Sequence, residues 1–292
     1  MTNLHDWVVE WLYTYKRIMI KPSTFDSYLQ YATNINCFVS LDELATSDIQ
    51  KLINDMVVNK KQLSTIKHML TLVRQSLKKA YSLKLVSSLD CLNGLELPRG
   101  RPKTVKPFTD QQLSLIKNNA FRTYYGDFYL ALLYTGCRVG ELIALRWTDV
   151  DFFNGCIYIS HTDYHGDLIS VKTEHGVRCL PFTEPLKEIL FRRFSEQKNE
   201  RVFCNTLGRP IKYRTLLDNW HWFCSQIGLY DPLGFHVFRH TFAHIALRQG
   251  IPVKVVSSWL GHSDVRITLQ IYDSVSSNDM ISAASALTAA FG

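Results

Sequence analysis

The chain has 292 residues, 46% of them hydrophobic, and 33 Lys/Arg against 26 Asp/Glu give it a formal charge of +7. This length and apolar content supply cores for two domains, and the basic balance favours a polyanionic partner such as nucleic acid. MTNLHDWVVEW has Asp6 and Glu10 where a signal peptide carries positive charge, FYLALLY at 128–134 is too short for a membrane span, and seven scattered cysteines form no CxxC pair, so a soluble, cytoplasmic, disulfide-free protein is expected.

Residues 1–95 read as a helical domain. Trp7, Val8, Trp11, Leu12 and Tyr15 recur at helical spacing, and Pro22-Ser23 restarts a helix carrying Phe25, Tyr28, Leu29 and Ala32. A longer pattern from Leu63 to Leu85 sets Ile66, Leu70, Val73 and Leu77 on one face. Lys67, Arg74, Lys78 and Lys79 fall largely on its other faces, either as a solvated basic surface or as phosphate contacts. Residues 1–103 hold 14 Lys/Arg against 9 Asp/Glu, which concentrates the basic excess in the first third. LELPRGRPKTVKPFT (95–109), with three prolines and a run of Lys/Arg, reads as extended and solvated, and 96–107 is expected to be a basic linker.

A second domain is expected over 108–292. Thr109 ahead of Asp110, Gln111 and Gln112 is a capping box before Leu113 and Ile116. FYLALLYTGCRVGELIALRW predicts a buried helix, a turn at Gly136 and a second helix starting near Arg138. The period then changes: CIYIS (156–160), LISVK (168–172) and VRCLPF (177–182) read as strands, with His-Gly at 165–166 and 175–176 as turns. Helical spacing resumes at Pro185. The expected fold class is mainly α (α+β): a helical N-terminal domain and a mostly helical second domain with a small antiparallel β-sheet.

HVFRHTFAH (236–244) gathers three histidines and an arginine. His236, His240 and His244 are spaced i, i+4, i+8 and form a stripe on a helix. Zinc would need neutral or anionic ligands, and Arg239 sits between two of the histidines as a permanent cation with no glutamate inside the pair. Histidines satisfied in a core, His244 above all, leave the five donors of Arg239 unexplained. An anion pocket suits the stretch better, because His236 and Arg239 share a face and a guanidinium fork matches two phosphate oxygens. That reading asks for a second arginine, and Arg138 in TGCRVGEL, at a helix start after a glycine turn, is the candidate. Glu141 is placed to hold its side chain, or is a helix-terminus charge.

WLGHSDV adds His262, and LQIYDS adds Tyr272 ten residues later. Arg138 in TGCRVGEL, HVFRH, LGH and a following tyrosine, in that order and spacing, resemble the tyrosine recombinases, or phage integrases. The resemblance runs from about 104 to 280, and the helical first domain and basic linker are similar to that family's core-binding domain. It implies a site-specific recombinase in which Arg138 and Arg239 hold the scissile phosphate and His236 is general base or orients the nucleophile. His262 donates a further hydrogen bond, Tyr272 attacks, and His240 has a supporting role. Lys172, the single lysine between Lys117 and Lys187, matches the family's hairpin general acid; the alternative is a surface lysine.

The same resemblance implies a 3′-phosphotyrosyl intermediate, a Holliday junction, and charge stabilisation by arginines with no ATP, cofactor or metal. It implies double-stranded DNA as partner, a clamp of two domains around it, and a homo-tetramer joined by C-terminal helices. Met280, Ala283, Ala284, Leu287, Ala290 and Phe291 have the helical spacing for this, or for a helix folded on its own domain. With about 95 residues before the linker, no arm-type DNA-binding module is expected, which points to a mobile-element recombinase or a replicon-dimer resolvase. The competing readings are a type IB topoisomerase-like strand transferase and a non-catalytic DNA-binding regulator on the same fold.

Overall fold

The computed structural model describes residues 2–100, 105–164, 166–170, 177–196, 199–230 and 233–271. The chain divides into two compact units, Met1–Thr104 and Val105–Gly292. The boundary between them falls within the basic Pro-containing stretch.

The first unit is helical. α1 (Leu4–Trp11) runs into a π-helical turn (Leu12–Lys16) and is followed by α2 (Pro22–Ala32), α3 (Thr46–Val58) and α4 (Leu63–Ser82). Asn3 caps α1 by accepting a hydrogen bond from the Asp6 amide at 2.9 Å. Trp7, fully inside, donates its indole N–H to the Ser76 carbonyl of α4 at 3.0 Å, so the apolar body and the polar edge of one side chain are both satisfied. α3 carries Ile49, Leu52, Ile53 and Met56 on its buried stripe, a spacing of i, i+3, i+4 and i+7. On α4, Lys67, Arg74 and Lys78 are exposed, whereas the Lys79 ammonium lies 4.6 Å from the centre of the Tyr15 ring. Lys79 is thus engaged in a cation–π contact inside the unit.

The second unit opens with α5 (Asp110–Asn119), α6 (Gly126–Thr135) and α7 (Val139–Ala144). The Thr109–Gln112 capping box forms in both directions. Three strands, β1 (Val150–Asp151), β2 (Cys156–Ile159) and β5 (Arg178–Pro181), make an antiparallel sheet in the order β1-β2-β5, whereas β3 (His161–Tyr164) and β4 (Asp167–Ser170) pair in a separate hairpin. The sheet is therefore two small sheets. β3, HTDY, was hidden because His and Asp give it neither β propensity nor alternation. The helices α8 (Glu184–Ser195), α9 (Tyr213–Gln226), α10 (His236–Arg248), α11 (Val253–Leu260) and α12 (Val265–Ile271) complete the described chain. Among the described residues no helix is long and apolar enough to cross a membrane.

The core is aromatic. Tyr129 of α6 packs on Trp220 of α9 at 5.0 Å between ring centres, and Trp220 packs on Phe238 of α10 at 5.0 Å. Each such buried ring contributes roughly 1.5–3 kcal/mol from area alone, so α10 is held from below by its apolar face. The chain entering the unit is tied to the same helix. The buried Phe108 amide donates to the Thr241 hydroxyl at 2.9 Å, and that hydroxyl donates to the Val237 carbonyl at 2.8 Å.

Candidate active site

Four of the six candidate residues converge where three chain segments meet. Arg138 is the N-cap of α7, His236 and Arg239 sit one turn apart at the start of α10, and His262 follows Gly261, the left-handed residue that ends α11. The convergence is enforced by backbone carbonyls. Arg239 donates from Nη1 to the Gly136 carbonyl at 3.0 Å and from Nη2 to the Leu260 carbonyl, and Arg138 reaches from Nη2 to the Gly261 carbonyl at 3.5 Å. Gly136 must be glycine here. Its φ is +62°, and a Cβ would lie 2.6 Å from the Phe242 ring and 2.9 Å from Leu260.

Arg239 is 3% exposed, and among the described residues it forms no ion pair. Burial and then the Arg138 charge press its pKa downwards. A guanidinium nonetheless remains charged at neutral pH. Beside it lies an ion-pair group that the sequence only partly disclosed. Glu141, 2% exposed, accepts from the Arg138 Nη1 at 2.8 Å and from the Arg138 backbone amide at 2.9 Å. It also takes both prongs of the buried Arg178, at 3.2 and 2.7 Å. Burial alone would raise the Glu141 carboxyl, but the Arg178 bonds and charge, then Arg138, outweigh it and hold the pKa below its ordinary value. Arg138 and Arg178 thus share the Glu141 carboxylate, and Arg239 lies beside them with no ion pair among the described residues.

Arg178 was missed by motif reading. Its signal is strand parity: in RCLP, Arg178 and Leu180 face inward while Cys179 and Pro181 face out. An arginine at an inward strand position requires a buried acceptor. Replacing Glu141 by Gln keeps the shape and removes the charge between two guanidiniums. It is expected to destabilise the second unit by about 3 kcal/mol. Urea denaturation would show this as a lower midpoint at unchanged slope; an unshifted midpoint refutes the structural role of the pair.

The histidines are tuned to be neutral. Lost hydration, then Arg239 and Arg138, lower the pKa of His236, and lost hydration, then His236 and Arg239, lower that of His240; their rings are 5.8 Å apart. Burial, then Arg239 and Arg138, push His262 down to about 4. A folded pKa below the unfolded value of ~6.5 means the unfolded chain binds more protons between those values. Stability is therefore expected to fall as pH drops from about 6.5 towards 4. His262→Asn should make that fall shallower in urea titrations at pH 7 and pH 5. An unchanged difference between the two pH values would contradict the assignment. Among the described residues no group of three His, Cys, Asp or Glu could hold a metal ion.

The β3–β4 hairpin is seated directly on α7. A Cβ on Gly140 would lie 2.7 Å from the Thr162 hydroxyl and 3.1 Å from the Asp163 carbonyl. Arg201 clamps the seam from Nη1, to the Ile143 carbonyl at 2.9 Å and to Asp163 at 3.1 Å. β4 ends at Ser170, two residues before Lys172, and α12 ends at Ile271, immediately before Tyr272. Lys172, Tyr272 and the segment 280–291 lie outside the described residues. A cleft of about 390 Å³ opens beside Arg138 and His236, walled by Tyr213, Leu233 and Phe235.

Residues 106–279 match the phage integrase family, and the chain belongs to that family. It is 25% identical over 311 residues to the tyrosine recombinase XerC-like protein of Caldanaerobacter subterraneus, covering 94% of this chain and 79% of that one. It is also 25% identical over 292 residues to the ICEBs1 integrase of Bacillus subtilis, covering 87% and 76%. In fold it is similar to the Tn1549 transposon integrase in complex with a circular intermediate DNA, with a TM-score of 0.83 at 18% identity, covering 98% of this chain and all of that one. A lambda integrase tetramer bound to a Holliday junction superposes with a TM-score of 0.73 at 16% identity, covering 94% and 80%.

Proposed function

We propose that this chain is a site-specific DNA recombinase that cuts and rejoins strands through a tyrosine–DNA intermediate. The observation that carries the reading is Arg239: a buried cation held, among the described residues, by the Gly136 and Leu260 carbonyls, with Arg138 on the next carbonyl, that of Gly261, and His262 the residue after it. Arg138 and Arg239 hold the two non-bridging oxygens of a phosphodiester, and the neutral His262 donates a further hydrogen bond. The neutral His236 accepts the proton of the Tyr272 hydroxyl. Attack by that oxygen on phosphorus forms a 3′-phosphotyrosyl bond as the bond to the 5′-oxygen breaks, and Lys172 supplies that oxygen's proton. One phosphodiester replaces another, so the step needs no ATP, and the arginines carry the charge stabilisation assigned elsewhere to magnesium.

A nicked duplex carrying the recombination site, selected from randomised DNA by binding, tests the reading. Loss of the short fragment beyond the nick prevents religation and should trap a covalent protein–DNA complex. A chain that binds the site tightly and leaves no covalent product would instead be a DNA-binding regulator. A monomer that relaxes supercoils and performs no partner-strand exchange would be topoisomerase-like.

Assembly belongs to the same proposal. Four protomers acting on two duplexes through a Holliday junction, in the integration, excision or resolution of a mobile element or replicon dimer, fit the kinship with integrases. The apolar spacing of Met280, Ala283, Ala284, Leu287, Ala290 and Phe291 fits a short helix that needs burial to be stable. Deleting 280–292 should leave binding to one site intact and abolish the four-protomer complex on paired sites, read by gel-shift titration and a recombination assay. Normal assembly and recombination by the truncated chain would remove this segment as the link between protomers.

A further inference from the structure

The general-base, phosphate and nucleophile roles proposed above leave one polar contact of the site unused. Thr268 lies in α12 at 0% exposure, with its hydroxyl oxygen 2.8 Å from Nδ1 of His262. A helical threonine commonly turns its hydroxyl to the carbonyl four residues earlier. Here, among the described residues, Nδ1 of His262 is the partner of that hydroxyl. The bond spans the corner between α11 and α12, so it also ties the helix that precedes Tyr272 to the segment that carries His262.

We infer that Thr268 is a positioning residue that holds His262 in the tautomer with its proton on Nε2. The argument is one of hydrogen accounting. The hydroxyl always has a hydrogen to donate, and a neutral imidazole has one N–H and one lone pair. His262 is neutral at pH 7, since burial and then Arg239 and Arg138 bring it down to about 4. If its proton sat on Nδ1, Thr268 would accept it and its own hydrogen would be buried with no acceptor among the described residues. With the proton on Nε2, Nδ1 accepts from Thr268 and both groups are satisfied. The nitrogen on the far side of the ring is then the one with a hydrogen to give. A histidine in the other tautomer would present a lone pair to a phosphate oxygen, which repels it. The tautomer's use therefore rests on the phosphate reading, while the tautomer itself rests on the Thr268 contact.

The test uses the full chain labelled with ¹⁵N-histidine and long-range ¹⁵N–¹H correlation spectra at pH 7, with His262→Gln to assign the resonances. His262 is expected as the Nε2–H tautomer in the wild type and in Thr268→Ser, and as a mixture in Thr268→Val. A wild-type Nδ1–H tautomer, or a Thr268→Val spectrum identical to wild type, overturns the proposal. On the nicked site, Thr268→Val should cleave more slowly by on the order of tenfold, the scale of a lost tautomer-fixing partner, with Thr268→Ser close to wild type. Equal loss in both variants would mean packing rather than the hydroxyl, and overturns it too. Inorganic phosphate is then titrated in. An Nε2 resonance that does not move refutes the phosphate pocket, a failure separate from the tautomer result.

Discussion

Replacing Tyr272 with Phe is expected to abolish covalent attachment to DNA altogether while leaving affinity for the site within a few-fold of wild type. The two effects separate because different groups carry them. On the proposed function, affinity comes from cationic side chains: Arg138 and Arg239, and the exposed Lys67, Arg74 and Lys78 of α4. The substitution touches none of these, and Phe keeps the ring. What disappears is the oxygen proposed to attack phosphorus, and water attacking in its place would release DNA rather than form an adduct. Arg239→Ala would differ in kind, lowering both adduct formation and the salt dependence of binding. The measurement is a denaturing gel of the nicked-site reaction beside a filter-binding titration. An adduct that persists in Tyr272→Phe would reassign the nucleophile.

The sequence disclosed those parts of this site whose signal is local. Arg138 beside a glycine turn, His236 and Arg239 one turn apart, and His262 after a glycine are each legible within eight residues, and the structure brings the four together. Glu141 was legible as the partner of Arg138, but its pairing with Arg178 was not, because those two are 37 positions apart and meet only when β5 comes alongside α7. Thr268 was hidden for a different reason. A threonine in a short helix looks like filler until its hydroxyl is seen, among the described residues, to bond a histidine rather than a backbone carbonyl. In the fold, α4, with its strong apolar periodicity, and α6, apolar on nearly every face, were visible. The polar strand β3 was not, since its place is set by what Gly140 permits and by the Arg201–Asp163 pair at 3.1 Å, both long-range. Local pattern and tertiary contact thus divide the site between them.

Lys172→Ala is expected to cleave an ordinary phosphodiester 10²–10⁴-fold more slowly, roughly the range for loss of a general acid, yet to approach wild-type rate on a substrate with sulfur at the 5′-bridging position. The reasoning follows the leaving group. Departure of the 5′-oxygen as an alkoxide is unfavourable at neutral pH unless a proton reaches it in the transition state, whereas a thiolate departs unprotonated. On the proposed roles, Arg138 and Arg239 act on the non-bridging oxygens in both substrates, so a variant damaged in phosphate binding should show the same defect on each. Lys172 is the only lysine between Lys117 and Lys187, and it follows a hairpin whose first strand is fixed against α7 at Gly140. A change in that seam should therefore mimic the lysine variant: Gly140→Val, which forces Thr162 and Asp163 away, is expected to lose phosphodiester cleavage and to recover in part on the sulfur substrate. The two substrates are compared in single-turnover cleavage of the nicked site. Equal defects on both, for Lys172→Ala, would show that the lysine is a surface residue of the hairpin and that the proton for the departing oxygen comes from another group.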